Sequence, residues 1–539
     1  MGTKANVGIL AITLYSIYYG YIITVRSTTI SRRKARAVKA KQTGDLETLQ
    51  DSSPEEQYGV MIVAGRFSNP FPEYREQGIF EFIFWKFYEI LRFTPRGGIP
   101  RDRSLLNELI PVYRPDFELL FELSPLAAGS AVAKTESNQD MLLSGNASPA
   151  GLTSSVTSAI YYSSDTGSSS NIPLDSLTES WTPISQRYVT ATPSMPTQET
   201  HFMSDTSSNT TSSASHSPAV DGSTATPEGI PSRDERITVT WIGQSCMFVQ
   251  CGGINIITDP IFGNSLVNKY VGPQRLVVGP CALEDLPPAD YVIVSHNHPD
   301  HFEASTVAKI GNSAMWIVPI GVRPFLARRG IYRVTEMKWW DKISFPGRDR
   351  DDWEIACTPA MHWSGRHLFD CNASLWCSFM ILHNGRPMVF HAGDTGYSTT
   401  MFTSIAQVYG TGCEIALLPV GAYCPEFHLR PIHSSPPDAM NIMRDLGARR
   451  LLGVHWGTFV MSDEYFLEPR IKLDEYAAAH DMQNAVFAAE FGRTVVVPIQ
   501  HSDEHGTSPD DDAAFRLPDA GVSNVQPLKS VEGKDTLVW

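Results

Sequence analysis

The chain has 539 residues, with 43 Lys and Arg against 58 Asp and Glu and a formal net charge of −15. That balance, with no large basic block in the second half, argues against an enzyme that tracks a nucleic-acid backbone. The eight cysteines are scattered without a C-x-x-C pair, which argues against zinc knuckles and a dense disulfide framework and predicts free thiols in a reducing compartment. The length allows two or three domains and a large core.

From Ala5 to Val25 no side chain is charged, and the run is rich in Ile, Leu, Val and Tyr. About 20 apolar residues rising about 1.5 Å each match the hydrocarbon thickness of a bilayer. A basic flank follows, from Arg26 through Arg32, Arg33, Lys34, Arg36 and Lys39 to Lys41. The pattern predicts a transmembrane anchor over 5–25 with the basic flank on the cytosolic or matrix-like side. A cleaved signal peptide fits less well, because the apolar run is long and no small-residue cleavage site follows it. The Met-Gly start lacks Ser or Thr at position 6, so the myristoylation pattern fails.

Residues 26–58 read as a basic polar linker. Gly65 to Pro72 (GRFSNPFP) opens a denser segment, 59–125. Within it, Ile79 to Phe93 is helical in length and heavily aromatic, suited to packing on the main domain or to a membrane interface. Residues 129–232 are dominated by Ser and Thr with few large apolar side chains, a composition that predicts a disordered insertion.

A folded catalytic domain is expected over 236–500. Strands are predicted at Ile237–Trp241, Met247–Gln250, Ile254–Thr258, Tyr291–Val294, Trp316–Pro319, Trp353–Thr358, Leu375–Leu382, Met388–His391, Ile415–Pro419, Leu451–Val454 and Thr494–Pro498. Helices are predicted near Glu303–Ile310, Arg323–Arg329, Met401–Tyr409, Pro437–Leu446 and Leu473–His480. Strand-rich halves interleaved with helices give an α+β class, two sheets face to face with helices outside. Residues 501–539 read as an acidic tail.

The chemistry concentrates after the strand at Tyr291–Val294, in Ser295-His296-Asn297-His298-Pro299-Asp300-His301. Three imidazoles and a carboxylate in six residues at a strand end are a metal site, with donors that suit zinc. His296 and His298, at i and i+2, can point to one side. Asp300 and His301 then turn toward a second position, so one loop offers ligands to two ions. His362, Asp394 and His455 each follow a predicted strand, where a sheet edge presents ligands. One ion is assigned to His296, His298 and His362, and the other to Asp300, His301 and His455. Asp394, flanked by Gly393 and Thr395, lies between them. His391 reads as a strand residue that at most supports the ligands.

H-x-H-x-D-H followed by three strand-end ligands resembles the metallo-β-lactamase superfamily. The resemblance implies an αββα sandwich with two Zn2+ ions. WIGQSC, TDPIF, TPAMHWSGR, HAGDTGY, LLPVGAY, VHWGTF and the N-terminal GRFSNPFP look like the N-acylphosphatidylethanolamine-hydrolysing phospholipase D family, over residues 59–125 and 236–498. That likeness implies hydrolysis on the headgroup side of phosphorus, releasing N-acylethanolamine and leaving phosphatidate. Asp300 and Asp394 would be the catalytic carboxylates, and His433 falls where the family contacts substrate. Gln244 stands where the family often has His, and Pro299 where the animal enzymes have Tyr. The anchor and insertion are more similar to fungal members, some of them mitochondrial, and the family implies a homodimer on an intracellular membrane. Rival readings are a lactonase or other phosphodiesterase of the same superfamily, and a membrane-organising protein with a structural metal site.

Overall fold

In the computed structural model the described residues are 3–43, 53–75, 81, 84–85, 87, 96–100, 102–121, 232–266, 270, 272–347, 352–367 and 370–499. They all belong to one unit, Met1–Thr135 with Ala225–Trp539. Most of the expected aromatic helix over 79–93, residues 129–231 of the expected insertion, and the 501–539 tail lie outside the described residues.

Two seven-stranded sheets form the body. The first runs in the order β16 (Thr494–Pro498), β3 (Arg236–Gly243), β4 (Cys246–Cys251), β5 (Ile254–Thr258), β6 (Tyr291–Ile293), β7 (Met315–Pro319) and β8 (Val334–Met337). The second runs β15 (Val486–Ala488), β14 (Leu451–Val454), β13 (Ile415–Pro419), β12 (Arg386–His391), β11 (Ser378–His383), β10 (Trp353–Thr358) and β9 (Lys342–Ser344). Each sheet is antiparallel through its early strands and parallel through its later ones. The change comes at β5–β6 in the first sheet and at β12–β13 in the second.

Alternation along the strands explains the layers. In β3, Ile237, Val239 and Trp241 enter the large core, which also takes Ile355, Phe379, Ile381 and Val389 from the second sheet. Their neighbours face the other way. Phe248, Ile257, Val292 and Trp316 pack with Val307 and Ile310 of the helix Ala304–Ile310 in a second cluster. Strands covered on both faces read as continuous apolar runs, which is why these segments show little polar alternation. The short strands β8, β9 and β15 were not predicted. At three or four residues they are too brief to show a period.

The N-terminal signature acquires a structural role. β1 (Met61–Val63) and β2 (Arg66–Ser68) form a hairpin, and the buried Asn69 that follows donates from Nδ2 to the Ala360 carbonyl at 2.9 Å. Ala360 lies two residues before His362, so GRFSNPFP braces a predicted ligand from behind.

The N-terminus differs from expectation. One helix, Thr3–Thr43, continues through the apolar run and the whole basic flank, Arg26 to Lys41, read as linker. Among the described residues no helix is long and apolar enough to cross a membrane, so the transmembrane anchor over 5–25 is not supported. Tyr15, Tyr18, Tyr19 and Tyr21, with Thr13, Ser16 and Thr24, dilute the aliphatic side chains. The basic half of the helix is tied to the body. Arg26 donates to the carbonyls of Asn69 and Phe71 at 2.8 and 2.6 Å, and Arg33 donates to Gly59 at 2.6 Å. Charge-assisted bonds of this kind contribute about 1.5–3 kcal/mol each. Arg26→Ala is therefore expected to loosen the helix and raise its cleavage several-fold in limited proteolysis, with the catalytic body remaining resistant.

Candidate metal centre

Strand ends of both sheets supply the polar residues of the cleft and of its support: Gln244 after β3, Asp259 after β5, His296–His301 after β6, His362 after β10, Asp394 after β12 and His455 after β14. Open sheets place sites at the carboxyl ends of their strands for this reason. Two glycines permit the close approach. A Cβ on Gly393, at φ 59°, would meet the Ser295 Cβ at 2.4 Å, and one on Gly421 would meet the His455 carbonyl oxygen at 2.3 Å.

The predicted residues converge. His296 Nε2 lies 2.8 Å from His298 Nδ1, and His362 Nε2 lies 3.2 Å from the same atom. Beside this group, His301 Nε2 is 3.1 Å from Asp394 Oδ2, and His455 Nε2 is 3.0 Å from Asp394 Oδ1. Asp300 Oδ2 is 3.4 Å from His301 Nε2 and 3.6 Å from His455 Nε2. Asp394 Oδ2 also lies 4.0 Å from His296 Nε2 and 3.7 Å from His362 Nε2, so one carboxylate faces both groups. Both groups have the mutual distances of metal-ligand sets. His433 joins from the side, with Nε2 3.4 Å from Asp394 Oδ2.

Partners behind the cluster set the tautomers. His362 Nδ1 donates to the Ile432 carbonyl at 2.9 Å. His301 Nδ1 donates to Asp259 Oδ2 at 2.9 Å. His296 Nδ1 donates to Ser295 Oγ at 2.9 Å, and Ser295 Oγ donates onward to Asp259 Oδ2 at 2.8 Å. Each of these rings thus turns an Nε2 lone pair toward the cleft. The buried Asp394 Oδ1 makes no hydrogen bond among the described residues; His455 Nε2, 3.0 Å away, meets it only as an ion-pair partner. Unsatisfied buried donors and acceptors are costly, and a donor set of this kind fits a divalent cation.

Electrostatics separate the two groups. Burial, helped by neighbouring imidazoles, holds His296 and His362 well below the usual histidine range, and burial brings His298 to about 4. These rings are neutral, the form that ligates. Burial opposes ionisation of Asp300 and Asp394, but their imidazole neighbours outweigh it and keep both well below the usual carboxylate range. At His455 burial also opposes the charge, yet Asp394 and Asp300 prevail and raise its pKa to about 9. The second group therefore calls for positive charge.

Reasoning from the sequence missed Asp259 and Ser295. Asp259 is fully buried and accepts from the Ser295 N–H at 2.6 Å, the Ser295 hydroxyl, His301 Nδ1 and His391 Nε2, the last at 3.0 Å. Burial raises its pKa, but His391 and His301 prevail and bring it to about 2. Asp259 closes β5 as Asp394 follows β12, so the strand-end rule that found Asp394 could have found it too. His391, placed behind the ligands by sequence, is seen there.

Residues 254–456 match the family model described as "Beta-lactamase superfamily domain". The "N-acyl-phosphatidylethanolamine-hydrolyzing phospholipase D, mitochondrial" of Saccharomyces cerevisiae is 33% identical over 90% of this chain and 87% of its own length. The "N-acyl-phosphatidylethanolamine-hydrolyzing phospholipase D 1" of Caenorhabditis elegans is 34% identical over 46% of this chain and 72% of its own. Among solved structures, the metallo hydrolase Igni18 from Ignicoccus hospitalis is 19% identical, covers 49% of this chain and 100% of its own, and has a TM-score of 0.37.

Removing the negative charge at the centre of the supporting network is expected to be costly. Asp259→Asn leaves imidazole and hydroxyl donors with a weaker acceptor and should lower stability by about 3 kcal/mol, read as a reduced midpoint in urea unfolding. From its fold, its cleft and the yeast relative that it matches along nearly its whole length, the chain belongs to the N-acylphosphatidylethanolamine-hydrolysing phospholipase D family, fungal type, and with it to the metal-dependent phosphodiester hydrolases.

Proposed function

We propose that this chain is a zinc-dependent phospholipase D that hydrolyses N-acylphosphatidylethanolamine to N-acylethanolamine and phosphatidate. The observation that carries the reading is Asp394: its Oδ2 lies within 4.0 Å of nitrogens from His296, His301, His362 and His433, and its Oδ1 lies 3.0 Å from His455. The reaction named for the yeast and nematode relatives supports the choice of substrate.

In this reading His296, His298 and His362 hold one zinc ion, Asp300, His301 and His455 hold the other, and Asp394 serves both. Bound there, the ions supply Lewis acidity, acidifying water and offsetting charge on a phosphoryl group. The chain's own residues do the rest. Asp300 and Asp394, held as carboxylates, accept hydrogen bonds from a water and aim it in line with phosphorus. As the water oxygen bonds to phosphorus, Asp300 takes up its proton and passes it to the headgroup oxygen, whose bond to phosphorus breaks. His433, at the edge of the cleft and with no partner for Nδ1 among the described residues, contacts the phosphoryl group. Burial of every ligand keeps bulk water from competing.

A diacyl substrate stays in its bilayer, so the cleft must work at a membrane. Leu10, Ile12, Leu14, Ile17 and Ile23 on the N-terminal helix are exposed and offer apolar surface for that contact. The printed name of the yeast relative supports a mitochondrial membrane. The proposal keeps a catalytic unit of 59–125 with 236–500, a separate insertion at 129–232, and the homodimer that the family likeness implies.

The test is hydrolysis of N-acylphosphatidylethanolamine vesicles by the purified full chain, with products identified by mass spectrometry. Phosphatidate and N-acylethanolamine are expected, lost with a chelator and restored by zinc. Asp394→Asn should lower kcat by about 100-fold or more. Hydrolysis of soluble phosphodiesters or lactones with phospholipid untouched would contradict the substrate assignment. A membrane role that survives Asp394→Asn would favour the non-catalytic reading.

A further inference from the structure

Gln244 lies in the turn after β3 and is fixed from every side. It is 1% exposed and has a φ of 53°, a left-handed conformation uncommon for a residue with a side chain. Its backbone N–H donates to Thr458 Oγ1 at 2.6 Å. Its carbonyl accepts from Trp241 Nε1 at 2.8 Å and from the His455 N–H at 3.1 Å. His455 itself has a φ of 62°, so two strained residues are locked to each other at the cleft. Strain of this kind persists only where the surroundings over-determine it, and it gathers at functional sites.

The side chain enters the cluster. Gln244 Nε2 donates to Asp300 Oδ2 at 3.0 Å and lies 2.8 Å from His455 Nε2. Asp300 Oδ2 is the oxygen that faces His301 and His455. The amide must present nitrogen to this carboxylate, because an amide oxygen at that distance would be repelled. A carboxylate oxygen has a second lone pair, so accepting from Gln244 does not stop Asp300 Oδ2 from ligating a cation. His455 Nε2 gives up its acceptor role once it ligates, and Asp300 is then the amide's remaining partner in the cluster.

We propose that Gln244 is a positioning residue for the second group: its side-chain N–H fixes Asp300 Oδ2 in the orientation that cation binding by Asp300, His301, Asp394 and His455 requires. The amide suits this task because it is a neutral donor at every working pH. It holds the carboxylate without adding charge to a group that already contains two carboxylates.

The inference rests on the two-cation reading of the cleft, and its test separates the two. Zinc is titrated into metal-stripped full-length chain by calorimetry, for the parent, Gln244→Ala, Gln244→Glu and Gln244→His. In the parent, two classes of site are expected. In Gln244→Ala one class should weaken by about 10–100-fold while the other is unchanged, the usual effect of losing a group that orients a ligand. The unchanged class also reports that the variant is folded. Gln244→Glu should not recover the affinity, since it has no N–H and sets a third negative charge beside Asp300. Gln244→His, whose ring N–H is a neutral donor, should recover most of it. Equal affinities in the parent and Gln244→Ala would overturn the role. Tighter binding by Gln244→Glu would also overturn it, by making position 244 a ligand instead. Should Gln244→Ala fail to fold, the opposite behaviour of the Glu and His variants still decides. A parent that binds no cation would overturn the two-cation reading itself, whereas two classes insensitive to position 244 would remove only the role of Gln244.

Discussion

Asp300 and Asp394 are buried as carboxylates in a cleft walled by imidazoles, and the rest of the site is organised around making that arrangement tolerable. An ionised carboxylate taken out of water is expensive unless charge or hydrogen bonds compensate it. Here the compensation comes from loops of both sheets. His296, His298 and His301 come from the end of β6, His362 from the end of β10 and His455 from the end of β14. No one loop could surround two carboxylates so completely. Two sheets that present the ends of their parallel and antiparallel strands to one cleft can.

A second buried carboxylate, Asp259, works one step back. It does not face the cleft, yet it fixes His301 directly and His296 through Ser295. His391 supplies it with a further donor from the other sheet. The two sheets are therefore joined behind the site by charge and hydrogen bonds as well as by apolar packing. Asn69 does similar work from the N-terminal hairpin, holding the chain just before His362. These supports explain how the HAGDTGY, TPAMHWSGR and GRFSNPFP segments, far apart in sequence, bear on one small volume.

Much of this was legible in the sequence because the fold follows one local rule. A β-branched or apolar run that ends in His or Asp marks a strand end at the cleft, and His296, His298, Asp300, His301, His362, Asp394 and His455 all obey it. Asp259 obeys it as well, but a lone carboxylate beside a proline carries no cluster to raise it above an ordinary turn residue. Ser295 and Gln244 were less accessible still. Their importance lies in hydrogen bonds across 36 and 56 residues of chain, which no local pattern encodes. The N-terminus shows the opposite limit. Charge-free residues suggested a span, but hydropathy depends on what replaces the charges, and there tyrosine and hydroxyl side chains take a large share.

The central claim is that seven side chains from four segments bind two cations around Asp394. The most direct measurement is the metal content of the purified, dialysed chain by mass spectrometry, with Asp394→Asn beside it. The account predicts two equivalents of zinc per parent chain and a clear loss in the variant. A parent chain that retains no more than one equivalent from a zinc-replete solution, or a variant that retains both, would contradict it.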